Sequence, residues 1–150
     1  MKYPKIGFTG TRKGMTNKQK EIFRHLLQFF ECTEFHHGSC VGADQEAGDI
    51  AKILGCKLVL HPPTNKDHMA NCTGDEIREP KPYLVRDKDI VDETSLLIGT
   101  PHGFDEIMRG SGTWATIRYG RKVNTNVLIV FPDGLVKDDN HSDEPHTLKF

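Results

Sequence analysis

The chain has 150 residues, with 20 Lys and Arg against 21 Asp and Glu, for a formal net charge of −1 at pH 7. That length suits one domain with a buried core, and the balanced charge lacks the basic excess that drives sequence-independent binding to nucleic acid. No stretch approaches the ~20 apolar residues that cross a bilayer, and residues 1–7 lack the apolar segment of a signal peptide. A cytoplasmic protein without a membrane partner is expected.

The four cysteines, Cys32, Cys40, Cys56 and Cys72, form no C-x-x-C pair and are expected as free thiols. Among the eight histidines there is no H-E-x-x-H, and neither Cys32 with His36 nor His68 with Cys72 makes a zinc framework. No metal and no cofactor are expected.

In chain order, residues 5–9 form a short apolar run ending at Gly10, a buried first strand. Thr16 precedes Gln19 by three residues, a capping box. Behind it Ile22, Phe23, Leu26, Leu27 and Phe30 recur at helical spacing. A second strand over 33–37 runs into Gly38-Ser39-Cys40-Val41-Gly42, and a helix from Asp44 turns Ala47, Ile50, Ala51 and Leu54 inward before Gly55. Residues 57–60 make a third strand. Residues 62–82 are polar and rich in proline, a long functional or disordered loop that could act as a lid. A helix over 83–93, a fourth strand over 95–99, a helix over 114–121 and a fifth strand over 126–131 complete the pattern. Residues 133–150 read as a polar tail after a domain spanning 1–132.

This alternation predicts an α/β, Rossmann-like doubly wound fold, with a mainly parallel five-stranded sheet and helices on both faces. Ligands of such sheets bind outside the carboxyl ends of the strands, where strand order reverses. The loops there carry Thr9-Gly10-Thr11-Arg12-Lys13-Gly14, Gly38 to Gly42, Gly99-Thr100-Pro101 and Gly110-Ser111-Gly112-Thr113. Glycines admit close backbone approach and helix amino termini face anions, so these loops predict a phosphate cradle. Arg12 would add a charge-assisted contact. The pattern G-x-x-x-x-G-K-[ST] is absent, which disfavours a Walker-type triphosphatase. Gly110 to Ala115 fits G-x-G-x-x-A, but too late in the chain for a dinucleotide oxidoreductase.

Four segments together resemble the SLOG superfamily, which includes YspA-like proteins, LOG phosphoribohydrolases and DNA-processing protein A-like domains. They are Gly10-Thr11-Arg12, His37 to Asp44, Tyr83 to Val91 and Gly110 to Trp114. The resemblance spans about residues 5–132. It implies a Rossmann-like domain that binds nucleotides or their derivatives, commonly as a homo-oligomer. The residues expected to bind ligand are Thr9, Gly10, Thr11, Arg12, Gly38, Ser39, Asp44, Arg86, Gly110, Ser111, Gly112 and Thr113. In the LOG branch an arginine and a glutamate after P-G-G-x-G-T cleave the N-glycosidic bond of a nucleoside monophosphate. Arg86 stands for that arginine, while Trp114-Ala115-Thr116 offers no carboxylate where the glutamate belongs. Asp44, Asp87, Asp105 and Glu106 are the nearby acids, Asp44 being expected to cap its helix.

Trp114 is expected to pack in the core or at an interface more readily than to stack on a base. His36 and His37 should point to opposite faces of their strand. The function expected is binding of a nucleotide or nucleotide-derived, signalling-type small molecule. N-glycosidic hydrolysis or transfer on nucleoside monophosphates is the alternative, and a DNA-processing role comes behind it.

Overall fold

The computed structural model describes residues 2–140 and 144–148. Strands β1 (Lys5–Gly10), β2 (Glu34–His37), β3 (Lys57–Leu60), β4 (Glu76–Ile77), β5 (Leu96–Thr100), β6 (Asn126–Val130) and β7 (Val136–Asp138) form one sheet. Helices α1 (Asn17–Phe29), α2 (Ala43–Ile53), α3 (Tyr83–Asp92) and α4 (Gly112–Lys122) cover it. The order across the sheet is β4-β3-β2-β1-β5-β6-β7, and every pairing is parallel except that of β6 with β7. Strand order therefore reverses at β1, whose two sides take β2 (Ile6 opposite Phe35) and β5 (Ile6 opposite Leu96).

The five expected strands become seven, and the two additions share a physical reason. β4 lies inside the long polar segment and is held by backbone contacts that leave no apolar pattern. Asp75 N–H donates to Leu58 O and Arg78 N–H to Leu60 O, both at 2.9 Å. β7 lies in the segment read as a polar tail. Gly134, at φ +86°, turns the chain back, and Phe131 N–H donates to Leu135 O at 2.8 Å. Of β7 only Val136 is buried, as suits an edge strand with one side to water.

The sheet is buried on both faces. On one, Phe23 of α1 meets Phe8 and Phe35 edge to face, with ring centroids 5.3 and 5.5 Å apart. Each buried phenylalanine contributes about 1.5–3 kcal/mol by removing apolar area from water, and ring pairs of this geometry add about 0.5–1.5 kcal/mol. On the other, Trp114 and Ile117 of α4 pack on Leu97, Val127 and Ile129. Trp114 is thus a core residue.

The capping box forms as read. Thr16 Oγ1 accepts Gln19 N–H at 3.1 Å, and Gln19 Oε1 accepts Thr16 N–H at 2.9 Å. The Gln19 side chain does more than cap. Buried at 1% exposure, its Nε2 donates to both Pro101 O and Val130 O at 2.9 Å. The start of α1 is thereby tied to the carboxyl ends of β5 and β6.

Candidate functional site

A cavity of about 500 Å³ opens at the carboxyl ends of β1, β2 and β5, the place where reversed strand order leaves a crevice between diverging loops. Its wall holds Thr9, Gly10, Thr11 and Arg12 from the loop after β1, and Gly38 and Asp44 from the loop and helix after β2. Arg86 of α3 and the Gly110, Ser111, Gly112 and Thr113 run at the start of α4 also line it.

Ser39 is the expected site residue that does not line the cavity. It is 3% exposed and has a left-handed backbone at φ 57°. Its N–H donates to His37 Nδ1 at 3.0 Å, and its carbonyl accepts Ala70 N–H at 2.7 Å. Ser39 thus docks the long 62–82 segment onto the glycine loop. Val41 N–H reinforces this by donating to His68 O at 2.9 Å, which brings His68 to the cavity wall.

Two glycines are dictated by crowding. A side chain at Gly38 would collide with the Arg86 guanidinium. Gly42 sits at φ +87°, and a Cβ there would collide with the Arg12 carbonyl. The loops after β1 and β2 can therefore close on each other only with glycine at that position.

The cavity mouth is basic and its floor is a buried charge cluster. Arg12 and Lys13 stand at the wall, and Lys13 Nζ donates to His102 Nε2 at 3.3 Å. At the start of α4, Ser111 Oγ accepts Trp114 N–H at 3.2 Å. The amides of Gly112 and Thr113 have no partner among the described residues, as helix geometry requires of a first turn. Thr11 Oγ1, also buried, is likewise unpartnered among them.

At the floor, Arg86 is 5% exposed. Its Nε donates to Asp87 Oδ1 at 2.5 Å, Nη1 to Gly38 O and to His61 O at 2.9 Å, and Nη2 to Cys40 Sγ at 3.2 Å. A guanidinium has five N–H donors, and four of them are spent on the protein. Burial works against its charge, but the Asp87 and Asp44 carboxylates outweigh that and hold it protonated. Arg86 is therefore mainly a brace between the ends of β2 and β3 and α3.

Asp44 lies one residue inside α2 and is 6% exposed. Its Oδ2 accepts Cys40 N–H at 3.2 Å, so it ties the glycine loop, and no side-chain bond caps α2 at Gly42. Burial pushes its pKa up to about 6, against the pull of Arg86. Asp87 also lines the cavity; burial raises its pKa, opposed by Arg86 and by Thr116 Oγ1, which donates to its Oδ2 at 3.1 Å. Glu106 is engaged elsewhere, with Arg121 at 2.7 Å and Arg118 at 3.3 Å, and neither it nor Asp105 lines the cavity.

Sequence reasoning missed His68, His102 and Tyr83 as wall residues. His102 follows the Gly99-Thr100-Pro101 loop directly, so the strand end pointed to it; Tyr83 opens the helix that carries Arg86. No local signal marked His68. His36 and His37 do point to opposite faces, His37 against Gly48 of α2 and His36 against His61, but both are buried.

The order of strands and the crevice at their reversal define a Rossmann-like α/β fold. Compared by sequence, the chain matches no family model and no curated protein. Compared by structure, it is similar to a molybdenum cofactor binding protein from the phototrophic bacterium Rippkaea orientalis, with TM-score 0.65 at 18% identity, over 87% of this chain and 78% of that one. It is also similar to DNA processing protein A from Helicobacter pylori, whose described property is single-stranded DNA binding, with TM-score 0.61 at 15% identity over 85% and 65%. The Moco carrier protein of Chlamydomonas reinhardtii is similar with TM-score 0.53 at 19% identity over 86% and 76%. The chain shares the Rossmann-like α/β fold of these structures. No helix among the described residues is long and apolar enough to cross a membrane.

Proposed function

We propose that the chain binds a nucleotide or nucleotide-derived small molecule in the crevice after β1, β2 and β5, with its phosphate toward Arg12, Lys13 and the start of α4. The observation that carries this reading is the convergence, on one cavity, of two cationic side chains and the unpartnered amides of Gly112 and Thr113. A helix amino terminus with free N–H groups favours an anion. The neighbours that bind a molybdenum cofactor support a small molecule as the occupant. The near-neutral chain charge supports that over a nucleic acid. A homo-oligomer belongs to the same proposal, supported by the apolar Leu84, Val85, Phe104 and Met108 side chains left exposed.

The test is mass spectrometry of small molecules released on denaturing freshly purified protein, followed by a thermal-shift panel of mono-, di- and cyclic nucleotides. A retained nucleotide, or a stabilisation lost in Arg12→Ala, supports the reading. No retained nucleotide together with no shift at millimolar concentration overturns it.

Hydrolysis of an N-glycosidic bond is the second reading, favoured by the buried Asp44 carboxyl on the cavity wall. With a pKa near 6 such a group can protonate a departing base while water adds to the sugar carbon. Release of free base from a nucleoside monophosphate, abolished in Asp44→Asn, would establish it. Unchanged nucleotide after prolonged incubation would remove it.

A further inference from the structure

Outside the cavity, two buried histidines lie on adjacent strands' ends and meet a carboxylate from a third element. His36 of β2 and His61, which follows β3, are 0% and 1% exposed, and Glu93 is the residue that ends α3. We propose that His61 and Glu93, backed by His36 and Glu34, bind a divalent first-row transition metal of the Zn²⁺ class.

The hydrogen positions follow from the partners. His36 Nε2 lies 2.7 Å from Glu34 Oε2. A carboxylate has no hydrogen to give, so that nitrogen carries one. His36 Nδ1 is then a bare lone pair, and His61 Nε2, 2.8 Å away, must donate to it. That leaves His61 Nδ1 unprotonated, facing Glu93 Oε2 at 3.9 Å.

Two acceptors therefore converge with no donor between them, too far apart for a hydrogen bond, where the buried His61 ring meets the partly exposed Glu93 carboxylate. The other oxygen of Glu93 is occupied, since Oε1 accepts Arg78 Nε at 3.0 Å and Nη2 at 2.6 Å. Oε2 is left for the cation. Metal bonds of about 2.0–2.2 Å to imidazole nitrogen and carboxylate oxygen span such a gap. Ligand atoms of His36, His61 and Glu93 all lie within 4.8 Å of one another, with His36 Nδ1 held behind the site as the acceptor of His61 Nε2–H.

The surroundings suit a metal of this kind. Both rings are buried, and their hydrogen-bond chain leaves His61 Nδ1 turned to the carboxylate. The chain Glu34–His36–His61 supplies the carboxylate-backed imidazole that fixes ring orientation in metal sites. One nitrogen and one carboxylate oxygen favour Zn²⁺, Co²⁺ or Ni²⁺ over Mg²⁺ or Ca²⁺. An ion there ties the end of β3 to the end of α3, beside an edge closed only by the two-residue β4. It also fixes His61, whose carbonyl accepts Arg86 Nη1. Sequence spacing gave no sign of the site because its ligands come from separate elements.

The experiment is titration of chelator-treated, untagged full-length protein at pH 7 with Zn²⁺ by calorimetry and with Co²⁺ by visible absorption. One equivalent per chain is expected, with Co²⁺ ligand-field bands and a raised melting temperature. Glu93→Gln, which keeps an acceptor for Arg78, and His61→Gln should each weaken binding by ~10–100-fold. Failure of the wild type to bind would overturn the proposal. Full affinity in a folded Glu93→Gln variant would also overturn it, assigning uptake to other histidines.

Discussion

Asp44 shows how burial converts one carboxyl into a pH-dependent element of the site. Its pKa rises from an ordinary 3.8 to about 6 on folding. Between those values the folded chain holds a proton that the unfolded chain has lost, so stability falls as pH rises through about 4 to 6 and stays low above it. A shift of this size corresponds to a cost on the order of 3 kcal/mol for the ionised group at neutral pH. Asp44→Asn keeps an oxygen to accept Cys40 N–H and cannot ionise. The variant should be more stable than wild type at pH 8 by about 1–3 kcal/mol, with little difference at pH 4. Melting curves at both values check this, and an equal gap at both would show that Asp44 is not the titrating group. The sequence offered Asp44 as a helix cap because Asp favours that position. Its true partner, Cys40 N–H four residues earlier, depends on the positive φ of Gly42, which residue identity alone does not disclose.

Among the secondary elements, those with a buried periodic face were legible and those held by backbone contacts were not. α1 was readable because Phe23, Leu26 and Leu27 repeat at helical spacing behind a capping box. β4 and β7 were not, since Glu76-Ile77 and Lys137-Asp138 present no alternation. Gln19 was recognised as part of the cap, yet its larger role needed coordinates, because Pro101 and Val130 are more than 80 residues away. Those two bonds predict an asymmetry between neighbouring substitutions. Thr16→Ala removes a cap and should cost about 1 kcal/mol. Gln19→Leu leaves two buried carbonyls without donors and should cost about 2–4 kcal/mol. Urea denaturation of both variants tests the order. Similar losses would mean that water replaces the Gln19 amide and that the tie between α1 and the strand ends is weak.

For the molecule as a whole, the position of the crevice was legible from strand–helix alternation, and eleven of the twelve expected residues line it. What alternation could not supply was the depth of the floor, where Arg86 spends four of its five donors on the protein. Affinity for an anion should consequently rest on the mouth, on Arg12 and Lys13, more than on Arg86. Ligand that binds only the folded chain stabilises it by about 2.7 kcal/mol at 100 times its Kd. For a chain of this size that raises Tm by about 5–11 °C. Under the proposed function, Arg12→Ala with Lys13→Ala should remove most of that rise for a phosphate-bearing ligand while leaving the unliganded Tm nearly unchanged. The rise should also shrink between pH 5 and pH 8, because Asp44 gains a negative charge on the cavity wall as pH passes about 6. In Asp44→Asn the ligand-induced rise should lose that part of its pH dependence. A rise that stays constant with pH in the wild type would place the ligand's charge away from Asp44, at the outer rim of the crevice.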